Sequence, residues 1–353
     1  MKKILFAAST IEHIKNFHMP YLADLKNSDN EIDILVDKEE ELPYVEKVHT
    51  TKLKKRFISF TNLMEISKIK KLLEKEQYDL VILHTTLTSF YVRMAVKSMK
   101  HKPKVIYMCH GYLFKDKHGL KNRLLLHCEK KVAKVTDKLI VMNVEDHKIA
   151  VKYRLGKEIY FTNGIGFDSK KFEFNNKLKE ETRKTYNFNN NDILFLNVAE
   201  FSNRKNQKAL INAFRKIDDE NIKLVLAGAG KKQKSCEKLS KRLKLRDRVY
   251  FMNYVYDIQK LYEACDYYIS ASKSEGIPFS VLEAANMGLP LVLSNIKGHR
   301  DILKDANGLL FSREKEIPAK MHDILIYKKS KNDLSKFDLN AVKKQIMDIY
   351  CDE

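Results

Sequence analysis

The sequence predicts an α/β protein built from two parallel-sheet domains. Three observations carry that expectation. Short apolar runs alternate with longer stretches of helical spacing. The alternation stops at a polar interruption near the middle and then starts again. A chain of 353 residues, 44% of them hydrophobic, is long for one core and comfortable for two.

The elements follow in order. Residues 4–8, 32–36, 80–84, 105–109 and 139–142 read as buried strands, with helical patterns over 17–25, 63–73, 89–96 and 122–135. Met1–Ala8 looks superficially like a signal peptide, but its apolar run is short and polar residues from Ser9 end it, so it reads as the first strand. Residues 1–172 form the expected first domain. Residues 173–191 are polar and end in Asn189-Asn190-Asn191, which places the interdomain connection there. The second domain, 192–333, repeats the pattern. Its strands are 193–198, 223–227, 249–252, 267–270 and 291–293, with helices over 207–217 and 234–243. Residues 334–350 have helical apolar spacing at Phe337, Leu339, Val342, Ile346 and Tyr350. Two such domains facing each other would leave a cleft suited to two substrates.

Composition narrows the class. Five cysteines without a C-x-x-C pair or metal-ligand spacing fit a reducing cytoplasm. No run approaches the roughly 18 apolar residues of a membrane span. The net charge of +20 favours a polyanionic partner, either a phosphorylated substrate or an anionic membrane face, unless it is a surface bias spread evenly. No nucleic-acid-binding module is recognisable. Basic residues are interleaved with apolar ones at Lys52–Lys71 and again at Lys115–Lys134, which suits a protein lying on an anionic membrane or a core helix with a solvated basic back.

Ligands of parallel sheets bind beyond the carboxyl ends of the strands, so residues just after strands are the candidates. The stretch Ser274-Glu275-Gly276-Ile277-Pro278-Phe279-Ser280-Val281-Leu282-Glu283 follows one. Pro278 suits a first helical position, and a turn with Gly276 before a helix start makes an anion site from free N–H groups and the helix dipole. Glu275 would sit at its mouth and Glu283 roughly 7.5 Å along the helix. Carboxylates there suit sugar hydroxyls; the plain alternative is two solvated glutamates. Earlier in the second half, Arg204-Lys205 follows a strand, Gly228 ends the next and Tyr254 follows another. In the first half, His110 directly follows a strand, and His13 and His18 lie in the loop after the first one. Strand-end hydrogen bonding or packing is the alternative for each histidine. There is no G-x-G-x-x-G after the first strand and no Asp-x-Asp anywhere, and the histidine and carboxylate spacings give no metal site.

Glu275-x7-Glu283 followed by Gly288-Leu289-Pro290 resembles the signature of retaining glycosyltransferases of family 4, which have the GT-B fold. His110-Gly111, Thr136–Asn143 with Glu145-Asp146, and Asn163-Gly164-Ile165-Gly166 resemble the capsule and exopolysaccharide branch of that family. The resemblance implies a UDP-sugar as substrate, no cofactor, no metal, and front-face displacement with retention. It implies that Glu275 and His110 contact the donor sugar, Lys205 neutralises the diphosphate, Glu283 holds the ribose and Tyr254 the base. Arg204, Gly228, Gly276, Ile277 and Phe279 complete the nucleotide-sugar set, and His13 and His18 lie on the acceptor side. The arginine common five residues before the lysine is Glu200 here, a departure that Arg204 would compensate. By the same resemblance the acceptor is a lipid-linked saccharide, the sugar N-acetylhexosamine or galactose, the place the inner face of the cell membrane, and the last helix packs back on the first domain. A nucleotide-sugar 2-epimerase and a non-catalytic membrane- or polyanion-binding module are the rival readings.

Overall fold

The computed structural model describes residues 1–54, 59–114, 119–172 and 178–352. The chain forms two compact units. One comprises Met1–Gly166 with Asn340–Glu353, the other Phe167–Leu339.

The first unit carries seven strands: β1 (Lys3–Ala7), β2 (Glu31–Val36), β3 (Lys47–Thr50), β4 (Leu80–His84), β5 (Lys104–Cys109), β6 (Lys138–Val141) and β7 (Glu158–Phe161). They pair in the order β3-β2-β1-β4-β5-β6-β7, every pair parallel. The second unit carries β8 (Ile193–Val198), β9 (Ile222–Ala227), β10 (Val249–Asn253), β11 (Tyr267–Ser270), β12 (Leu291–Ser294) and β13 (Gly308–Phe311), ordered β10-β9-β8-β11-β12-β13 and again wholly parallel. Both faces of each sheet need cover, which is why the central strands are apolar along most of their length. In β8, Leu194 and Leu196 enter one apolar cluster while Phe195 enters the cluster on the opposite face.

Three strands escaped the sequence reading. β3, Lys-Val-His-Thr, is an edge strand with one apolar residue, and β7, Glu-Ile-Tyr-Phe, and β13, Gly-Leu-Leu-Phe, are edge strands only four residues long. The helix expected over 17–25 is instead two, Ile11–Phe17 and Met19–Asn27, parted at His18. Pro20 lacks an amide hydrogen and sits in the opening turn of the second, where none is needed.

The expected connection at 173–191 is different in kind. Residues 178–185 are helical and belong to the second unit. Arg183 is buried and donates to the carbonyls of Ala264 (2.9 Å), Asn190 (2.8 Å) and Asp192 (3.0 Å), and it pairs with Asp266 at 2.8 Å. Residues 173–177 of that expected linker lie outside the described residues. The terminal helix also starts later than expected, at Leu339. Leu334 and Phe337 are core residues of the second unit, and the Phe167 and Leu339 amides exchange hydrogen bonds with the Phe337 and Phe167 carbonyls. Leu339–Cys351 then packs on the first unit, where Gln345 donates to the Phe161 carbonyl at 2.9 Å. The buried Lys138 ammonium donates to the carbonyls of Ile349 (3.1 Å) and Asp352 (2.9 Å).

Candidate active site

The site in the second unit starts from topology. From the adjacent pair β8 and β11 the chain proceeds outward in opposite directions, so the loops leaving their carboxyl ends diverge and open a crevice. The β8 loop supplies Arg204 and Lys205, the β11 loop Glu275. A backbone bond from the Lys273 amide to the Arg204 carbonyl, 2.8 Å, ties the two loops together.

Lys205 Nζ lies 2.8 Å from Glu275 Oε1, and Arg204 Nη1 lies 2.5 Å from Oε2 while also donating to the Ser274 carbonyl. Glu275 is 9% exposed. Burial alone would push its carboxyl up, but Lys205 and Arg204 outweigh burial and hold it below the usual carboxylate range. Glu200, where the family arginine is expected, is exposed, and its carbonyl accepts from Gln207. Arg204 therefore brings the second cation to this carboxylate.

Behind Glu275, Gly298 presses against the Gly276 carbonyl so closely that a side chain at 298 would overlap it. Pro278 is the N-cap (φ −79°, ψ 122°), one place earlier than the first helical position expected, and the helix runs Phe279–Asn286. An extended ψ before the helix fits a cap, and proline's fixed φ serves either position. The side chains of Ile277 and Phe279 pack against the core cluster around Tyr262 and Tyr268, which leaves their backbone groups at the helix start. Glu283 lies one turn into this helix. Its Oε2 accepts from the Tyr262 hydroxyl at 2.8 Å, and burial raises its carboxyl above the usual range although that bond opposes the shift. Gly228 has φ 134°, and a side chain there would overlap the Ala199 carbonyl. Its amide donates to the Asn253 carbonyl at 2.6 Å, so this glycine permits the close approach of the β8, β9 and β10 loops. Tyr254 follows β10, 67% exposed, with its ring edge-on to Tyr256.

Sequence reading overlooked His299. It is fully buried, donates from Nδ1 to the Ser294 carbonyl (2.9 Å), and burial depresses its imidazole to about 4. Ser294 Oγ in turn donates to the Ser272 carbonyl (2.6 Å), bracing the floor beneath Glu275. Its only signal in the chain was position, five residues past a strand.

The first unit has its own crevice, between β1 and β4. His13 lies in Ile11–Phe17, His18 at the junction of the two helices after β1, His84 is the last residue of β4, and His110 follows β5 directly. The structure gathers all four. His18 Nε2 is 3.2 Å from His13 Nε2, and His84 Nδ1 is 3.1 Å from His110 Nε2. Burial lowers the imidazole of each, His13 to about 4 and the other three well below the ordinary range, which favours their neutral forms. His84 was missed, although a histidine closing a run of buried strand residues was the available signal. Thr85, next in line, has φ 65°, strained for a β-branched residue, and its hydroxyl bonds the Ser9 amide (3.0 Å) and hydroxyl (2.7 Å).

Of the basic-apolar stretches, Phe60–Glu76 exposes Phe60, Leu63 and Met64 beside Lys68 and Lys71, and Leu120–Ala133 exposes Leu120 and Leu124 beside Lys121 and Arg123. Lys55, Arg56, Phe57, Ile58, Lys115 and Lys117 lie outside the described residues. Among the described residues no helix is long and apolar enough to cross a membrane.

Comparison with known proteins shows the family. Residues 179–340 match the family model described as glycosyl transferases group 1, and residues 22–157 match glycosyltransferase family 4. The chain is 31% identical over 317 residues to EpsD of Bacillus subtilis, named as a glycosyltransferase, covering 88% of this chain and 83% of that one. It is 27% identical over 249 residues to an Escherichia coli UDP-Gal:alpha-D-GlcNAc-diphosphoundecaprenol alpha-1,3-galactosyltransferase, covering 67% and 62%. Its fold matches Anabaena HepE, solved with UDP and glucose, at a TM-score of 0.77 and 18% identity over the whole of both chains. Sucrose-phosphate synthase of Thermosynechococcus elongatus superposes at 0.78 with 17% identity, over 99% and 98%. The chain belongs to glycosyltransferase family 4, has the GT-B fold, and falls in its exopolysaccharide and O-antigen branch.

Proposed function

We propose that this glycosyltransferase moves galactose or an N-acetylhexosamine, with retention, from a UDP-sugar to a lipid-linked saccharide at the inner face of a membrane. The observation that carries the reading is the buried Glu275 carboxylate held by Lys205 and Arg204 at the crevice of the second unit. A diphosphate arriving there meets both cations, and they neutralise the charge that grows on it as the C1–O bond breaks. No metal is needed on the diphosphate. Released from part of that pairing, Glu275 accepts hydrogen bonds from the sugar, Glu283 from the ribose, and the Tyr254 segment receives the base. Arg204, Gly228, Gly276, Ile277 and Phe279 line the same strand ends. His110 contacts the transferred sugar, and His13 and His18 serve the acceptor side. The acceptor hydroxyl bonds C1 on the face the diphosphate leaves, and its proton passes to the departing phosphate oxygen.

The E. coli relative, named for transfer from UDP-Gal to an undecaprenol-linked sugar, and the UDP complex of HepE support this choice of substrates. The exposed apolar residues of Phe60–Glu76 and Leu120–Ala133, flanked by cations, support contact with anionic lipid. The test is thermal stabilisation by UDP, GDP and ADP for the wild type and Glu283→Ala. UDP alone should raise the melting temperature, and the variant should lose the rise. No stabilisation by any nucleotide at millimolar concentration would overturn the assignment.

A further inference from the structure

Residues 231–248 carry nine basic side chains and two acidic ones, a local excess that the donor site leaves unused. Most of them lie on or beside the helix Gln233–Arg242, whose buried face is Cys236, Leu239 and Ser240. The stretch exposes no large apolar side chain. Elsewhere on the surface Lys15, Lys26 and Lys47 are each paired with a glutamate.

The start of the helix Gln207–Phe214 and the helix Gln233–Arg242 wall a cavity of about 610 Å³, an ordinary size for a small-molecule site. Lys208, Lys232, Lys238, Arg242 and Lys273 line it, and among the described residues no carboxylate does. All five cations are exposed, and among the described residues none has an ion-pair partner. Burial raises the Cys236 thiol, and Lys208 and Lys232 both oppose that rise, so the two ammonium groups lie near the same wall. Two helix N-termini open here as well, at Gln207 and Lys232, and their dipoles favour negative charge. Like charges gathered without counter-ions repel one another, and a polyanion relieves that repulsion. A bilayer suits the place poorly, because the cations line a hollow and offer no apolar side chain for insertion.

None of the residues assigned to the donor lines this cavity, although it borders their loop. Ser202 Oγ accepts from the Lys205 amide at 3.3 Å, and the Lys273 amide donates to the Arg204 carbonyl at 2.8 Å. We propose that the cavity is a second anion site, distinct from that of the donor diphosphate, which takes a small ligand bearing two or more phosphate groups. Arg242 offers a two-pronged fork to one phosphate, and the lysines supply point charges to the rest. The inference rests on the proposed function only for which phosphate site the donor already fills.

The probe is inorganic tripolyphosphate, titrated by calorimetry into the full chain saturated with UDP. One equivalent should bind to the wild type, and also to Lys205→Ala, which lacks a donor-site cation. Lys232→Ala combined with Arg242→Ala should weaken that binding by about tenfold or more, while melting no lower than the wild type. The lack of a saturable tripolyphosphate site in the UDP-bound chain would overturn the proposal. So would binding that falls with Lys205→Ala but not with the double variant. Phosphatidylglycerol vesicles held through Lys232 and Arg242, with tripolyphosphate unbound, would make the surface a membrane contact and overturn it too. Failure of UDP itself to bind would sink the donor reading alone, since the tripolyphosphate titration still decides this one.

Discussion

At Glu275 and Glu283 one fold sets two carboxylates in opposite senses. Glu275 is held below its ordinary range by two cations, so it contributes stability above the ordinary carboxylate pKa, and that stability is lost as pH falls through the depressed value. The melting temperature of Glu275→Gln should therefore lie below wild type at neutral pH, with the gap closing in acid. Glu283 is raised by burial, so its ionised form burdens the fold at neutral pH and the burden lifts as pH drops below the ordinary range. Glu283→Gln should melt higher than wild type at pH 7.5 while binding UDP less tightly; a variant less stable at that pH would contradict this account. Lys205→Ala should lower kcat by about 10²–10³-fold, the usual effect of removing one group that stabilises developing charge. Most of this site was legible, because glutamates, lysine and glycine at strand ends announce themselves by position. His84 and His299 were not, since each is defined by neighbours far away in sequence.

At the scale of elements, the two long helices Thr86–Lys97 and Leu120–Ala133 are joined by a fully buried ion pair. Arg93 Nη1 meets Glu129 Oε1 at 2.7 Å, and the guanidinium also stacks over Tyr107, 4.2 Å from its ring centroid. Removing one partner strands a charge in the core. Glu129→Ala should cost about 3–5 kcal/mol, read from denaturant unfolding. Replacing both partners with apolar residues should cost far less. Periodicity located these helices because their buried stripes repeat at helical spacing. It failed at 17–25, where a proline and a histidine junction split one apolar run into two helices, and at 334–338, where Leu334 and Phe337 face the second unit's core.

Across the whole molecule, the first unit is completed by residues far from it in sequence. Lys138 is 1% exposed, and its ammonium bonds to Ile349 in the terminal helix and to Asp352 just past it. Tyr350, also buried, lies against Tyr21 with ring centroids 6.4 Å apart. Deleting residues 340–353 should expose a buried ammonium and an apolar face, and limited proteolysis should then cut the first unit while sparing Phe167–Leu339. Equal resistance of both units would refute the dependence. The alternating pattern made both sheets readable, whereas the discontinuity rests on which core Phe337 and Val342 each enter, and spacing alone is silent on that.

That discontinuity also has a consequence in time. On a ribosome, β1 to β7 emerge first yet lack the helix that covers Lys138 and Tyr21, whereas Phe167–Leu339 has all its parts once Leu339 clears the exit tunnel. Of the two units, the one holding β1 to β7 is thus the later to be completed, because its closing residues, 340–353, follow the whole of the other.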